Sequence, residues 1–305
     1  MTIAERIIYN IVHPSYVLAK LCRRFCSFFP SRESYLKTLY RFETGEKLNL
    51  KDPKTFNDKI QWLKLYDHNP IYATMVDKYA VKDYVASIIG EEHVIPTIGV
   101  WDKPDDIEWD KLPNQFVLKT THGGGSHGVV VCKDKAQLNI NNVKERLQKA
   151  MHSDIAKYYC EWPYSQFSHK IIAEQFIKPA ESEDELTDYK WFCFNGVPRF
   201  CQVIRNRSTK ETIDFFDINW EHQEFIGLNP EVMSFSEESI ERPGGLEIQL
   251  EIARKLATGR AFVRVDLYDI DGKVLFGETT FYPASGFGSF RPKQYNRIIG
   301  DMIKL

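Results

Sequence analysis

Hydrophobic periodicity separates the chain into predicted helices and predicted strands. Apolar residues recur at helical spacing in residues 1–30, where Pro14 predicts a break, and on both sides of a polar connection at residues 49–57. Thr55 stands just before one of these apolar stripes and is a predicted N-cap. Further helices are predicted at residues 77–90, 141–151 and 246–259.

Short apolar runs bounded by turn residues predict strands, most of them in hairpins. Asn195-Gly196 joins two such runs, and Asp271-Gly272 marks the turn of another hairpin over residues 261–281. Single strands are predicted at residues 94–100 and at residues 170–179, the second of which ends in a proline-stopped hinge. Helices mixed with antiparallel hairpins predict an α+β fold.

A glycine-rich loop joins two apolar strands at residues 116–132. The loop has four glycines, and Lys119 ends the strand before it. Glycines expose backbone N–H groups to an anion, and the lysine adds a positive charge, so this hairpin is a candidate lid over nucleotide phosphates. No helix pattern follows, unlike a Walker or dinucleotide-binding loop. A strand–loop–strand lid belongs to protein kinases and ATP-grasp enzymes; the alternative is a plain hairpin turn.

The last hairpin carries two acidic residues, Asp266 and Glu278. A three-residue turn at residues 271–273 would place them directly opposite each other, on one face with Arg264 and Thr280. Two carboxylates at that separation repel unless a cation lies between them, and oxygen ligands favour Mg²⁺ or Mn²⁺. A two-residue turn would put them on opposite faces, and an exposed acidic pair is the other interpretation.

Composition limits the classes of function. A net charge of −2 gives little reason to expect nucleic acid as a partner, and six scattered cysteines are expected to be reduced thiols in the cytoplasm. No apolar run is long enough to span a membrane, and no signal-peptide cleavage pattern is present. Residues 1–30 are basic and amphipathic, which predicts either peripheral contact with the anionic inner membrane face or packing on the body of the protein.

The order of these motifs resembles the ATP-grasp fold, and most closely its TupA-like branch, named for teichuronopeptide biosynthesis. The kinase motifs H-R-D and D-F-G are absent. The matching segments extend over roughly residues 34–290 and are residues 52–59, 76–79, 116–119, 188–190, 194–196, 264–266 and 277–283.

The resemblance implies two α+β subdomains that clamp ATP, with a helical N-terminal extension. The expected division is a helical extension at residues 1–68, a small α/β subdomain at residues 69–112, a lid subdomain at residues 113–178, and a C-terminal subdomain with the metal site at residues 179–305.

The resemblance also implies roles for individual residues. The phosphates of ATP would be held by Lys119, Gly123, Gly124, Gly125, Ser126, Gly128 and Lys190. The adenine hinge would be Glu174, Gln175, Phe176 and Ile177, and Asp188 would bind the ribose. Mg²⁺ would be held by Asp266 and Glu278, with Thr280 where the family often has asparagine. The anionic substrate or its acyl phosphate would be held by Arg205, Arg207 and Arg264.

The implied activity is an ATP-dependent carboxylate–amine ligation through an acyl phosphate. The expected partners are a uronic acid of a surface polysaccharide such as capsule or O-antigen, or of its lipid-linked precursor, and an amino acid or amino sugar as the amine. The alternatives are a kinase that phosphorylates a sugar hydroxyl, a glycosyltransferase, for which no D-x-D motif is present, and a non-catalytic carbohydrate-binding protein.

Overall fold

The computed structural model describes residues 14–124, 128–180, 185–207, 209–229, 231–232 and 234–305. Its helices are α1 (Pro14–Arg24), α2 (Arg32–Thr44), α3 (Phe56–Tyr66), α4 (Ile71–Val76), α5 (Ala80–Ile89), α6 (Ile140–Met151), α7 (Ile155–Tyr159), α8 (Leu246–Ala257) and α9 (Tyr295–Asp301). Its strands are β1 (Thr97–Trp101), β2 (Phe116–Thr120), β3 (Val129–Cys132), β4 (Ile171–Gln175), β5 (Asp188–Phe194), β6 (Val197–Arg205), β7 (Thr212–Asp217), β8 (Ile226–Gly227), β9 (Phe262–Ile270), β10 (Lys273–Thr280) and β11 (Phe290–Arg291).

Two antiparallel sheets form the framework, which confirms the predicted α+β class. One has four strands in the order β1-β4-β2-β3, and the other has five in the order β10-β9-β5-β6-β7. The smaller sheet packs its inner face on α6, with Phe116, Leu118 and Leu147 fully buried between them. A short two-stranded ribbon joins β11 to β8. None of the described helices is both long and apolar enough to cross a bilayer.

The central strand β5 is buried on both faces, and its alternation separates apolar from polar contacts. Trp191 points toward α8, where its Nε1 donates to Gln249 Oε1 at 2.9 Å. Phe192 lies on the opposite face and packs against Phe56 of α3. Asp188 and Lys190 share the face of Phe192 because side chains on one face recur every second residue. This face is therefore covered by α3 at one end and carries charged groups at the other.

The β9–β10 hairpin pairs Asp266 with Glu278, as predicted, but by a different route. The turn has two residues, because Ile270 pairs with Lys273, so the predicted three-residue turn was wrong. Asp271 and Gly272 have φ of 52° and 87°, which is typical of the tight hairpin turn that matches strand twist. A bulge at Gly277 then shifts the register by one residue and brings Glu278 back to the face of Asp266.

The other elements agree with the predictions from local sequence only in part. Thr55 caps α3: its hydroxyl accepts a bond from the backbone N–H of Asp58 at 3.1 Å, and the Asp58 carboxylate accepts one from Thr55 N at 3.1 Å. The strand predicted at residues 94–100 is shorter and runs over Thr97–Trp101. Between α6 and β4 the chain forms α7 and then a 3₁₀ turn at Trp162–Ser165. Strand β7 had not been predicted.

The described part of the N-terminal segment is helical, as predicted, and α1 starts at Pro14. Ala19 and Cys22 of α1 are buried against Leu36 and Leu39 of α2. Residues 1–13, for which a first helical piece is predicted, lie outside the described residues. The division of the chain into four segments at residues 68, 112 and 178 stays a prediction.

The turn of the carboxylate hairpin gives a test of this register. Replacing Gly272 with alanine should lower the free energy of unfolding by about 1 kcal/mol, because only glycine adopts positive φ without strain. A Cβ there would have no atom within 4 Å, so the effect reports backbone strain alone. Gly272→Asn should cost less, since asparagine tolerates the left-handed region. Urea unfolding measures both; equal stability of wild type and Gly272→Ala would contradict the assigned turn.

Candidate active site

A buried carboxylate, Asp266, lies at the centre of the charged face of the larger sheet. It is 3% exposed and accepts hydrogen bonds from Lys190 Nζ and, at 2.6 and 2.7 Å, from Arg264 Nε and Nη2. The register explains these contacts, because Lys190 of β5 pairs with Asp266 of β9, and Arg264 is two residues away on the same face. Lys190 Nζ also lies 3.3 Å from Asp188 Oδ1.

Glu278, on the neighbouring strand, is held by further cations. Its carboxylate lies 3.2 Å from Lys78 Nζ and 3.4 Å from Arg264 Nη2. Burial alone would raise the pKa of the Glu278 carboxyl, but three cations, Lys78, Lys190 and Arg264, hold that pKa well below its usual range. Glu278 therefore stays ionised at neutral pH. Arg264 Nη2 also donates to Thr280 Oγ1 at 3.1 Å, so the hydroxyl of Thr280 faces the same site.

Lys78 joins the glycine-rich loop to the carboxylate hairpin. Besides its contact with Glu278, its Nζ donates to the carbonyl of Gly123 at 2.5 Å, and its backbone N–H donates to Thr121 O at 3.0 Å. The sequence signal was the segment Val76-Asp-Lys-Tyr79, which matched the family, but no role for Lys78 was predicted. The structure adds it to the charged groups of the site.

Glu174 is the centre of a second charge cluster, on the smaller sheet. Its two carboxylate oxygens lie 2.6 Å from Lys119 Nζ and 2.7 Å from Lys82 Nζ, and the residue is 5% exposed. Burial alone would raise the pKa of Glu174, but the ammonium groups of Lys119 and Lys82 outweigh it and lower that pKa. Lys119 lies beside the loop as expected, and Lys82 joins it although the sequence analysis assigned it no role.

The predicted adenine hinge begins at Glu174 and continues along the chain to Ile177. The backbone N–H of Gln175 already donates to the carbonyl of Pro96 at 3.0 Å. Phe176 and Ile177 are half-buried and lie just past the end of β4. Glu174 pairs with Val117 and Gln175 with Phe116, so Gln175, Phe176 and Ile177 lie toward the Phe116 end of β2, and of these four described residues only Glu174 contacts Lys119. Contact of these residues with adenine stays a prediction.

The base of the glycine-rich loop is packed too tightly for side chains at two positions. A Cβ at Gly123 or Gly128 would lie 2.4 or 2.5 Å from Thr120 Oγ1. At Gly124 it would meet only Ile155 Cδ1, at 3.7 Å, so the fold itself does not require glycine there. Gly125 and Ser126, also predicted to bind phosphate, lie outside the described residues. Within the described ranges, the buried Thr120 hydroxyl has no hydrogen-bond partner.

The three candidate arginines have different positions. Arg264 is at the centre of the site, and Arg207 reaches it from the end of β6, with Nη2 2.8 Å from Asp188 Oδ2. Arg207 is half-exposed, so it can turn toward a ligand. Arg205 points away: Gln202 pairs with Lys190, and Arg205, three residues further, falls on the opposite face by strand alternation. The structure therefore brings together two of the three arginines.

A buried lysine that the sequence analysis did not single out supports the loop after β10. Lys64 Nζ donates to Ser285 O at 2.6 Å and to Tyr159 O at 2.9 Å. Burial lowers the pKa of Lys64 to about 8, against the opposing charge of Glu161. Ala284 and Ser285 have φ of 48° and 49°, a strained conformation for residues with side chains. Lys64 thus stabilises a left-handed turn that directly follows the carboxylate strand.

The donor set of the site fits Mg²⁺ bound together with a polyphosphate. Asp266 and Glu278 supply oxygen ligands, and among the described residues no cluster of three or more His, Cys, Asp or Glu side chains exists that could hold a metal alone. Mg²⁺ is commonly bound by one or two carboxylates and completes its shell with phosphate oxygens and water. The neighbouring lysines and arginines supply the charge that phosphate groups require.

These features define a class of fold: a lysine-bearing glycine-loop hairpin on one antiparallel sheet, and a carboxylate hairpin on another, as in ATP-grasp proteins. The family model described as TupA-like ATPgrasp matches residues 58–304, and the chain belongs to this family. The resemblance stated from the sequence is thereby confirmed. No curated protein is similar enough in sequence to be matched.

The solved structures to which this chain is similar are distant in sequence. The D-alanine–D-alanine ligase from Bacillus anthracis has 21% identity and a TM-score of 0.39, and the match covers 69% of this chain and 58% of that one. For D-alanyl-alanine synthetase A from Vibrio cholerae the identity is 12%, the coverage 82% and 70%, and the TM-score 0.43. An ATP-grasp RimK domain protein from Sphaerobacter thermophilus has 13% identity, coverage of 77% and 69%, and a TM-score of 0.40.

The charge cluster around Glu174 gives a second test. Lys82→Met keeps the apolar length of the side chain but removes one partner of a buried carboxylate. The free energy of unfolding should fall by about 2 kcal/mol, less than the roughly 3–5 kcal/mol of a fully broken buried pair, because Lys119 remains. Lys111→Met is the control, since Lys111 is exposed and pairs with exposed Glu108.

The pH dependence follows from the same cluster. The lowered pKa of Glu174 contributes stability that is present above the ordinary glutamate pKa and is lost as pH falls through the lowered one. In Lys82→Met that pKa should rise, so acid unfolding should begin at higher pH. Equal urea and acid unfolding curves for Lys82→Met and Lys111→Met would show that Lys82 does not hold the carboxylate.

Proposed function

We propose that this protein is an ATP-dependent ligase that forms an amide between a carboxylate and an amine. The observation that carries this proposal is the pair Asp266 and Glu278, facing each other between Lys78, Lys190 and Arg264. Membership of the TupA-like ATP-grasp family supports it. The carboxylate would be a uronic acid, or a similar sugar acid, of a bacterial surface polysaccharide or its precursor, and the amine an amino acid or amino sugar.

In this proposal, the acidic residues of the site bind the metal and the basic residues bind phosphate. Asp266 and Glu278 would hold Mg²⁺, with Thr280 beside them, and Lys78, Lys119 and Lys190 would face the phosphates of ATP. The bound metal would supply positive charge that neutralises the phosphoryl group during transfer. In the structure, the carboxylates and the cations of the site neutralise one another. Binding of Mg²⁺ and ATP would replace these ion pairs with new ones and leave no charge unpaired.

The proposed reaction has two steps. A carboxylate oxygen of the substrate attacks the γ-phosphorus of ATP, the bond to the β-phosphate oxygen breaks, and ADP leaves. The amine then attacks the carbonyl carbon of the acyl phosphate, loses a proton, and inorganic phosphate leaves with one oxygen from the original carboxylate. Arg264 and the half-exposed Arg207 would stabilise the negative charge on the acyl phosphate. The glycine-rich loop would cover the phosphates and keep water from hydrolysing it.

Ligand-dependent melting tests the binding half of this proposal. Mg²⁺ with ATP should raise the melting temperature, whereas Mg²⁺ alone should not, because Asp266 and Glu278 need phosphate oxygens to complete the metal site. Asp266→Asn and Glu278→Gln should each lose the shift and the turnover. Asp271→Asn is the matched control: it removes a carboxylate from the turn of the same hairpin, at a position where asparagine fits the backbone.

Melting without ligand separates folding from binding in these variants. Asp266→Asn should melt lower than wild type even without ATP, since Lys190 and Arg264 lose their anionic partner. If both Asp266→Asn and Glu278→Gln kept the ATP-dependent shift and more than about a tenth of wild-type turnover, the proposed metal site would be wrong.

Isotope transfer separates the ligase from the kinase alternative, which would use the same ATP and metal residues. With uronate labelled by ¹⁸O in its carboxylate, released phosphate should carry one labelled oxygen, and hydroxylamine should trap the activated carboxylate as a hydroxamate. A kinase would leave the phosphate on the product and release none. Unlabelled phosphate, or phosphorylated sugar as the product, would replace the ligase proposal with hydrolysis or sugar phosphorylation.

A further inference from the structure

Helix α1 and the 3₁₀ turn that follows it present large apolar side chains to solvent. Leu18, Leu21, Phe25 and Phe28 are 43%, 46%, 49% and 83% exposed. Their spacing of three, four and three residues places the first three along one side of the helix, and Phe28 continues the line in the following 3₁₀ turn. The rings of Phe25 and Phe28 lie 5.9 Å apart, so the four residues form a continuous strip.

This strip is not the surface by which α1 joins the rest of the protein. The other side of the helix, with Ala19 and Cys22, is buried against α2. The contacts that hold α1 against the rest of the protein therefore do not involve the apolar strip. Large apolar groups gathered on an exposed helix face mark a contact surface, whereas single ones scattered over the protein do not.

The exposed charged residues of α1 itself are all positive. Lys20 and Arg24 are exposed on α1, and residues 14–31 contain no aspartate or glutamate. Arg23, the third basic residue, forms an ion pair with Glu43 and belongs to the packed side. The α1 face, meaning Leu18, Lys20, Leu21, Arg24, Phe25 and Phe28, thus combines an apolar strip with exposed cationic groups.

We propose that the α1 face seats the protein on a membrane surface that contains anionic lipid. A helix with leucine and phenylalanine on one side and lysine and arginine beside them lies in the plane of the lipid interface: the apolar groups enter the acyl boundary and the cations stay at the headgroups. A second copy of this chain fits less well, because a symmetric contact would place Lys20 and Arg24 of both copies together in an apolar interface.

The contact does not depend on the proposed ligase activity, and it would have a consequence for it. A polysaccharide precursor linked to lipid is confined to the membrane surface. An enzyme held on the same surface by α1 meets that acceptor far more often than one that diffuses freely in solution.

Vesicle co-sedimentation of the full-length protein tests the proposal. Wild type should sediment with vesicles of equimolar phosphatidylcholine and phosphatidylglycerol, and much less with phosphatidylcholine alone. The charge reversal Lys20→Glu/Arg24→Glu should weaken binding to the anionic vesicles by more than about thirtyfold, because the loss of two favourable charges alone accounts for roughly thirtyfold and the two added negative charges are repelled as well. Leu21→Ser/Phe25→Ser/Phe28→Ser should weaken binding to both kinds of vesicle, because these groups enter the apolar layer.

Matched controls isolate the α1 face from general surface chemistry. Lys103→Glu/Lys111→Glu reverses two exposed lysines elsewhere, and Val197→Ser/Ile218→Ser removes two apolar side chains that are 41% and 40% exposed. Both controls should bind vesicles as wild type does. Unchanged melting temperatures should show that the α1 variants are folded, as expected for exposed positions.

Three results would overturn the proposal. The first is a wild-type protein that stays in solution with both kinds of vesicle. The second is equal vesicle binding by wild type and a charge-reversal variant that keeps the wild-type melting temperature. The third is a wild-type dimer in sedimentation velocity that becomes a monomer in the triple serine variant, which would make a second copy the occupant of the face.

Discussion

The Asp266 carboxylate, buried between Lys190 and Arg264, is the constraint on which the rest of the site depends. A charge removed from water costs several kcal/mol unless partners compensate it, and here Lys190 comes from the neighbouring strand β5 and Arg264 from two residues away on β9 itself. The register of β5 against β9 therefore has to be kept to the residue. The bulge at Gly277 serves the same requirement, because it returns Glu278 to this face after a two-residue turn that would otherwise reverse it.

The side chain of Lys78 links the two sheets through electrostatic contacts. Lys78 contacts the carbonyl of Gly123 at the base of the glycine-rich loop and the carboxylate of Glu278 on the hairpin. On the smaller sheet, Lys82, Glu174 and Lys119 form a second cluster of paired charges, and Lys119 lies in the strand that leads into the loop.

Support for the site extends well beyond the charged residues. Lys64 is fully buried on α3, yet it reaches the carbonyl groups of both Tyr159 and Ser285. The left-handed turn at Ala284 and Ser285 is strained, and it persists because these contacts over-determine it. Helix α3, capped by its own Thr55, thus stabilises the segment that follows the carboxylate strand.

The amino-acid sequence by itself determined the elements that depend on local chemistry. Periodicity and turn residues located α3 with its Thr55 cap, the Asn195-Gly196 hairpin, the glycine-rich loop and the turn at Asp271-Gly272. Only the tertiary structure decided how distant segments meet. It brought Lys78 and Lys82 to the predicted carboxylates, turned Arg205 to the opposite face, and used a bulge where a longer turn had been predicted. The reason is physical: a turn or a cap is set by neighbours in the chain, whereas a charge cluster is set by strand register and sheet packing, which residues far apart in the sequence determine together.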